Sequence, residues 1–118
     1  MMYESPYGGM YDIRFVTGKY QYGFCGPALQ AVSKNEEFGF WEPFAMVTVN
    51  LDRTYYHSND PNAVYIDTNN NPGMDKFLAD NGLADYTGMY GFSGYCVYPQ
   101  MRLNMDRIKE IELKEEEV

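Results

Sequence analysis

The chain has 118 residues, a length that predicts one domain with a single hydrophobic core. Its formal net charge of −8 disfavours binding to nucleic acids and anionic membranes, because such binding depends on Lys and Arg. No apolar run of about 18 residues is present, so we expect no membrane span, and the N-terminal residues lack the basic and apolar regions of a signal peptide. An acidic surface suits a basic partner, or serves solubility alone.

The first half of the chain predicts strands after a loose start. Residues 1–10 are rich in Gly and polar groups, so we interpret them as a flexible N-terminal arm. Residues 11–20 alternate between apolar and polar side chains, which predicts a strand. Residues 28–33 fit a strand or one helical turn. Residues 44–51 form the clearest strand, and since one face is wholly apolar and the other half apolar, we expect it in the centre of a sheet.

The second half adds a helix between strands. Residues 63–67 predict a short strand, and the helix runs over about 73–81, where an Asn-Gly pair stops it. Residues 86–94 carry a Gly at every third position and are interpreted as a loop or hairpin turn. Residues 95–103 resume the alternation, with Pro99 marking an edge or a bulge.

Together these elements predict an α+β fold. The domain proper spans residues 11–103, with an antiparallel meandering sheet of about five strands and one main helix. Residues 104–118 form an acidic C-terminal tail, either a helix or a late strand. Two cysteines and one histidine are too few for a ready zinc site, so no metal or other cofactor is expected.

A catalytic cysteine is the first chemical hypothesis that the sequence raises. Cys25 precedes Gly-Pro, His57 is the one available base, Asp67 could orient it, and Gln21 lies four residues upstream as an oxyanion donor. A cysteine hydrolase of this kind needs a long helix after the nucleophile. The segment that follows Cys25 is too short and too mixed in composition to form that helix. We therefore favour a turn at Cys25 and a protein that is not an enzyme.

A family resemblance covers the chain from Gly18 to Leu103. The stretches WEPFAMVTVNL, NPGMDKFLADNGLADYTG and SGYCVYPQMRL resemble a family of small uncharacterised proteins found on phages, plasmids and conjugative elements of gut bacteria. The N-terminal arm and the longer acidic tail depart from that family. No catalytic residue carries over from the resemblance, because the matching motif residues look structural.

The resemblance implies a mobile-element protein, a setting whose small acidic proteins include anti-CRISPR inhibitors of defence nucleases. A CRISPR effector nuclease holds nucleic acid in a channel lined with basic residues. Carboxylates of an acidic protein can stand in that channel where phosphates would, and exposed aromatic side chains would add contact area. We therefore expect partner contacts from two groups of side chains, the acids Glu36, Glu37, Asp60, Glu112, Glu115, Glu116 and Glu117 and the aromatics Tyr55, Tyr56, Tyr90 and Phe92.

Two other functions stay open at the level of sequence. One is an accessory protein of a plasmid or conjugative element without a nuclease target, and the other is the Cys25–His57 hydrolase. In the favoured interpretation the protein acts in the cytoplasm of a bacterial host cell and binds a basic protein, with no direct contact to nucleic acid or membrane. The oligomeric state is open.

Overall fold

The computed structural model describes residues 1–19, 27–35, 37–51 and 60–113, which form eight strands and two helices. The strands pair only in antiparallel fashion, in two four-stranded sheets with the orders β1-β2-β3-β4 and β5-β6-β8-β7. The predicted class of a single α+β domain is confirmed, whereas the prediction of one sheet of about five strands is wrong. In chain order the elements are β1 (Met2–Glu4), β2 (Met10–Lys19), β3 (Pro27–Lys34), β4 (Trp41–Met46), β5 (Thr48–Val49), β6 (Ala63–Ile66), α1 (Met74–Asp80), β7 (Ala84–Ser93), β8 (Cys96–Leu103) and α2 (Met105–Ile111).

The first ten residues contribute to the first sheet rather than forming only a loose arm. Strand β1 pairs with β2 so that Tyr3 lies opposite Tyr11. The Tyr3 side chain is buried, and its ring meets Phe44 and Phe77 edge-on, with centroids 5.9 Å and 5.2 Å apart. Burial of this ring stabilises a short edge strand, which the Gly and polar residues around it do not predict. The N-terminal amino group of Met1 adds an ion pair with Asp12 at 2.7 Å.

The stretch predicted as one central strand is two edge strands in different sheets. Its main chain crosses between the sheets at Val47, which is fully buried. The Val47 N–H donates to the carbonyl oxygen of Leu29 in β3 at 2.9 Å, while its own carbonyl accepts from the N–H of Asp67 at 2.8 Å. The apolar side chains on both faces of residues 44–51 therefore result from a strand that passes from one sheet to the other, and not from a central position in one sheet. Pro43 fits the edge position of β4, since an edge strand leaves one side of its main chain unpaired.

Residues 86–94, interpreted as a loop or hairpin turn, belong to strand β7 as far as Ser93, so that interpretation is wrong except at Gly94, which lies in the turn before β8. The pairing of β7 with β8 shifts register between Tyr86 and Tyr90, which is a bulge, and Gly88 adopts a φ of 87° there. Pro99 of β8 lies directly opposite Tyr90, beyond the last residue that pairs with β6. Pro99 therefore flanks the bulge and is paired only with β7, although β8 is an inner strand over the residues that also pair with β6.

Helix α1 lies where it was predicted and packs Met74 and Leu78 into the interior. The C-terminal segment is a helix over residues 105–111, which decides between the two alternatives left open for it. The side-chain oxygen of Asn104 caps α2 by accepting from the N–H of Arg107. Two contacts then tie the end of α2 to β2, from Arg14 to the carbonyl of Ile111 at 3.1 Å and from the N–H of residue 113 to the carbonyl of residue 15 at 2.9 Å.

One continuous core joins the two sheets and both helices. Its buried side chains come from β1, β2, β3, β6, β7 and β8, and partly buried side chains of β4 and β5 pack against it, so the sheets share an interior rather than forming separate units. The largest fully buried members are Phe15, Ile13, Leu29, Ile66, Met74, Leu78, Leu83, Met101, Leu103 and Ile108.

Candidate functional site

Exposed hydrophobic side chains concentrate on the hairpin formed by β7 and β8. Six of the thirteen large hydrophobic side chains that are exposed within the described ranges lie between residues 86 and 97. Such a concentration is more often an interaction surface than a chance feature of a small domain. We call it the hairpin surface, and its members are Tyr86, Met89, Tyr90, Phe92, Tyr95 and Val97.

The alternation of β7 explains why its aromatic rings face outwards. Gly91 lies on the inner face, where a Cβ atom would stand 2.4 Å from Cδ1 of Leu51 and 2.8 Å from Cε1 of Tyr65. Its neighbours Tyr90 and Phe92 must then point to the opposite face, and they are 56% and 55% exposed. Val97 shares that face, because it is the cross-strand partner of Phe92.

A polar network fixes the bulge at the base of the hairpin surface. The hydroxyl of Thr87 donates to Oε1 of Gln100 at 2.7 Å, and Nε2 of Gln100 donates to the hydroxyl of Tyr65 at 3.3 Å. The N–H of Met89 in turn donates to the Thr87 hydroxyl at 3.3 Å. Because Gln100 and Tyr65 are buried, the bulge is anchored to the interior and holds the outward side chains in place.

Carboxylates of α1 flank one end of the hairpin surface. The Tyr86 hydroxyl donates to Oδ2 of Asp75 at 2.8 Å. The pKa of Tyr86 is raised to about 12, first by partial burial, then by this hydrogen bond and by the charges of Asp75 and Asp80. Tyr90 is the smallest of the causes that raise the pKa of Tyr86, which means that the two hydroxyl groups lie near each other. Such an arrangement can receive a Lys or Arg side chain by ion pairing and by contact with a ring face.

Two of the predicted partner-binding acids form contacts with other side chains of the same chain. Asp60 forms an ion pair and hydrogen bond with Arg102; this bond lowers the pKa of Asp60 and raises that of Arg102. Glu112 follows α2, and its Oε2 accepts from the hydroxyl of Thr17 at 2.9 Å. These contacts give both carboxylates a structural role that formal charge alone cannot reveal.

Glu37 differs from these two acids because it is exposed. It lies in the turn between β3 and β4, where its N–H donates to Oδ1 of Asn35 at 3.0 Å. The nearby rings of Phe38 and Phe40 stack with centroids 6.0 Å apart and are also exposed. This turn belongs to the first sheet, whereas the hairpin surface belongs to the second.

The other predicted partner-binding residues lie outside the described residues. These are Glu36, Tyr55, Tyr56, Glu115, Glu116 and Glu117.

The hydrolase hypothesis rests on Cys25, His57 and Gln21, which are likewise outside the described residues. Asp67, its expected orienting acid, is buried and accepts from the N–H and Nδ2 of Asn70 at 3.0 Å and 2.9 Å. Both oxygens of that carboxylate therefore accept hydrogen bonds within the turn after β6.

In the described ranges, no group of three or more His, Cys, Asp and Glu side chains is placed to hold a metal ion. No helix in those ranges has the length and apolar character needed to cross a membrane. Cys96 in β8 is a free thiol.

Fold and surface together define a small α+β domain whose second sheet displays an aromatic hairpin. Residues 17–118 match the model of DUF4313, a domain of unknown function, and the chain belongs to this family. No curated protein and no solved structure matches the chain significantly. The predicted membership of a small uncharacterised family is thus confirmed at that level, whereas the link to mobile elements and CRISPR stays a prediction.

Proposed function

We propose that this domain is a non-enzymatic binding module that docks a basic protein on its hairpin surface. The observation that carries the proposal is the concentration of outward aromatic side chains on β7, next to the carboxylates of α1. Aromatic side chains dominate binding energy at protein interfaces, because they bury large areas at low entropic cost. The net charge of −8 would favour encounter with a basic partner.

We further propose that the partner is a CRISPR effector nuclease, inhibited by a protein of a mobile element acting in the bacterial cytoplasm. A nucleic-acid channel offers the Lys and Arg side chains that this surface is suited to receive. Asp75 and Asp80 would take the place of phosphates, and Tyr90 and Phe92 that of stacked bases. Support for this partner comes from charge and aromatic content, together with the family resemblance noted in the sequence.

The experiment is a DNA-cleavage assay with a panel of purified CRISPR effector nucleases, run at two salt concentrations with and without the protein. Inhibition of one effector that weakens at higher salt is expected, since screening reduces attraction between exposed charges. Absence of inhibition across the panel would overturn the nuclease proposal and favour an accessory protein of a plasmid or conjugative element.

Matched aromatic variants test whether the hairpin surface makes the contact. We expect Phe92→Ser to weaken inhibition by about 10-fold or more, the effect of losing an interface hot spot. Phe38→Ser is the control, because Phe38 is also an exposed aromatic residue but lies in the first sheet. Equal effects of the two substitutions would place the contact elsewhere.

Matched charge variants separate local from global electrostatics. Asp80→Lys and Glu37→Lys change the net charge equally, and both positions are exposed. Only Asp80 acts on Tyr86 of the hairpin surface, so Asp80→Lys is expected to weaken inhibition more. If Glu37→Lys has the same effect, the binding reflects overall charge and not this surface.

A further inference from the structure

A second set of aromatic side chains lines a cavity on the first sheet, away from any role given above. The cavity has a volume of about 340 Å³ and lies between the turn after β1 and the turn after β6. Its aromatic walls are Tyr3, Tyr7, Tyr11 and Phe44, and the side chains of Asn70 and Asn71 line the opposite part.

The aromatic walls stand at angles to one another, as the sides of a box do. The ring of Phe44 lies 4.9 Å from that of Tyr11 at an interplanar angle of 42°, and 5.9 Å from that of Tyr3 at 77°. Tyr7 also lines the cavity and is 80% exposed. Its main chain is held in the turn, where its N–H donates to Oγ of Ser5 at 3.1 Å. The face of an aromatic ring that lines such a space can attract a cation through its quadrupole.

Both amides can offer an oxygen acceptor to a ligand. Nδ2 of Asn71 donates to the carbonyl of Met46 at 2.9 Å and to the carbonyl of Asp67 at 3.2 Å, so both of its N–H groups are used. Nδ2 of Asn70 donates to Oδ2 of Asp67 at 2.9 Å and keeps one further N–H. The oxygen of each amide can accept from a ligand that carries N–H donors.

Among the residues that the structure describes, no Lys or Arg side chain lines the cavity, and the whole chain carries a net charge of −8. A ligand that suits this space is cationic, presents N–H donors to the amide oxygens and has a flat face for the rings. We propose that the cavity, which we call the aromatic box, binds a guanidinium group. This inference does not depend on the hairpin surface or on its partner.

Three small probes test charge and N–H donation separately. Methylguanidinium is a flat cation with N–H donors, methylurea is its neutral counterpart, and tetramethylammonium is a cation without N–H donors. Chemical shifts of the protein in ¹⁵N-labelled form, including the side-chain amides of Asn70 and Asn71, report binding at the box. We expect methylguanidinium to bind at least about fivefold more tightly than methylurea, with tetramethylammonium between them. Equal affinity for methylurea and methylguanidinium would overturn the proposal.

Two wall variants locate the site. Tyr7→Leu removes an exposed ring and is expected to leave the fold intact while weakening methylguanidinium binding by about threefold or more. Phe44→Leu removes a partly buried ring, so its melting temperature is measured as well, to separate weaker binding from lower stability. Phe38→Leu is the control, and Phe92→Ser must leave methylguanidinium binding unchanged even if it abolishes partner binding. Full binding by both wall variants would overturn the assignment to the box.

The guanidinium group can come from a protein side chain or from a free metabolite. Titrations with N-acetyl-arginine amide and with free arginine distinguish these sources, because only the first imitates a residue within a chain. Tighter binding of the capped form assigns an arginine side chain, tighter binding of free arginine assigns a small molecule, and failure of both to bind overturns the proposal.

Discussion

The substitution Gly91→Ala tests the packing that turns the aromatic face of β7 outwards. The added Cβ would lie 2.4 Å from Cδ1 of Leu51 and 2.8 Å from Cε1 of Tyr65, distances at which atoms cannot remain where they are. Leu51 and Tyr65 are both buried, so relief requires movement of packed side chains or of the strand. Overpacking of this kind costs about 1–3 kcal/mol of unfolding free energy.

Gly18→Ala is the matched control for that substitution. Gly18 also lies within a strand, β2, and neither glycine requires a positive φ, but a Cβ at Gly18 would meet no atom within 4 Å. We expect Gly18→Ala to be neutral or stabilising by up to about 1 kcal/mol, because alanine restricts the unfolded chain. The two variants therefore separate steric overlap from the general effect of replacing glycine in a strand.

Thermal and urea denaturation of the two variants measure the difference. At roughly 4 °C per kcal/mol for a domain of this size, Gly91→Ala should lower the melting temperature by about 4–12 °C. Adding Leu51→Val removes the nearest overlapping atom, so the double variant should be less destabilised than the sum of the single effects, by about 1 kcal/mol. Equal stabilities of Gly91→Ala and Gly18→Ala would refute the inward placement of Gly91.

Three further predictions concern the caps and charges around the helices. Asn104→Ala should destabilise the protein by about 1 kcal/mol in urea denaturation, because α2 loses its N-cap, whereas Asn104→Asp should retain most of that stability. Asp80→Lys should stabilise the protein by about 0.3–1 kcal/mol, because it places a cation at the C-terminus of α1; lower stability would contradict this. Folding raises the pKa of Tyr86 from 10.0 to about 12, so its contribution is complete below the unfolded pKa and is lost as pH rises through about 12. Melting temperatures between about pH 10 and pH 12 should therefore fall more steeply for the native protein than for Tyr86→Phe, and parallel curves would contradict the shift.

Local periodicity was sufficient for the elements that stay in one layer of the fold along their length. The alternation of residues 11–20 predicted β2, and the helical pattern with its Asn-Gly stop predicted α1. It failed at Val47, because alternation cannot tell a central strand from one that passes between two sheets. A strand that leaves one sheet for another buries side chains on both faces, and so does a strand covered on both sides.

The glycines of β7 misled the sequence interpretation for a physical reason. A glycine at every third position is typical of a loop. In the structure, Gly88 adopts the positive φ of the bulge, and Gly91 allows the strand to lie close to the Tyr65 ring. Both requirements arise from residues distant in sequence, so no local pattern contains them. A signal was nevertheless present, since Tyr90 and Phe92 alternate about Gly91 and are followed by a Gly94-Tyr95 turn and the further strand.

The number of acidic residues can be read from the sequence, but the contacts that each carboxylate makes cannot. Counting acids predicts an acidic surface, yet Asp60 is paired with Arg102 and Glu112 accepts from Thr17. Reversing either charge would remove an internal contact, so a loss of activity in those variants could arise from misfolding alone. Asp80 is exposed at a helix terminus where a Lys should stabilise the fold. If Asp80→Lys gains stability and loses more affinity for a partner than Glu37→Lys does, neither misfolding nor overall charge explains the loss, and this makes Asp80 the most informative acid to reverse.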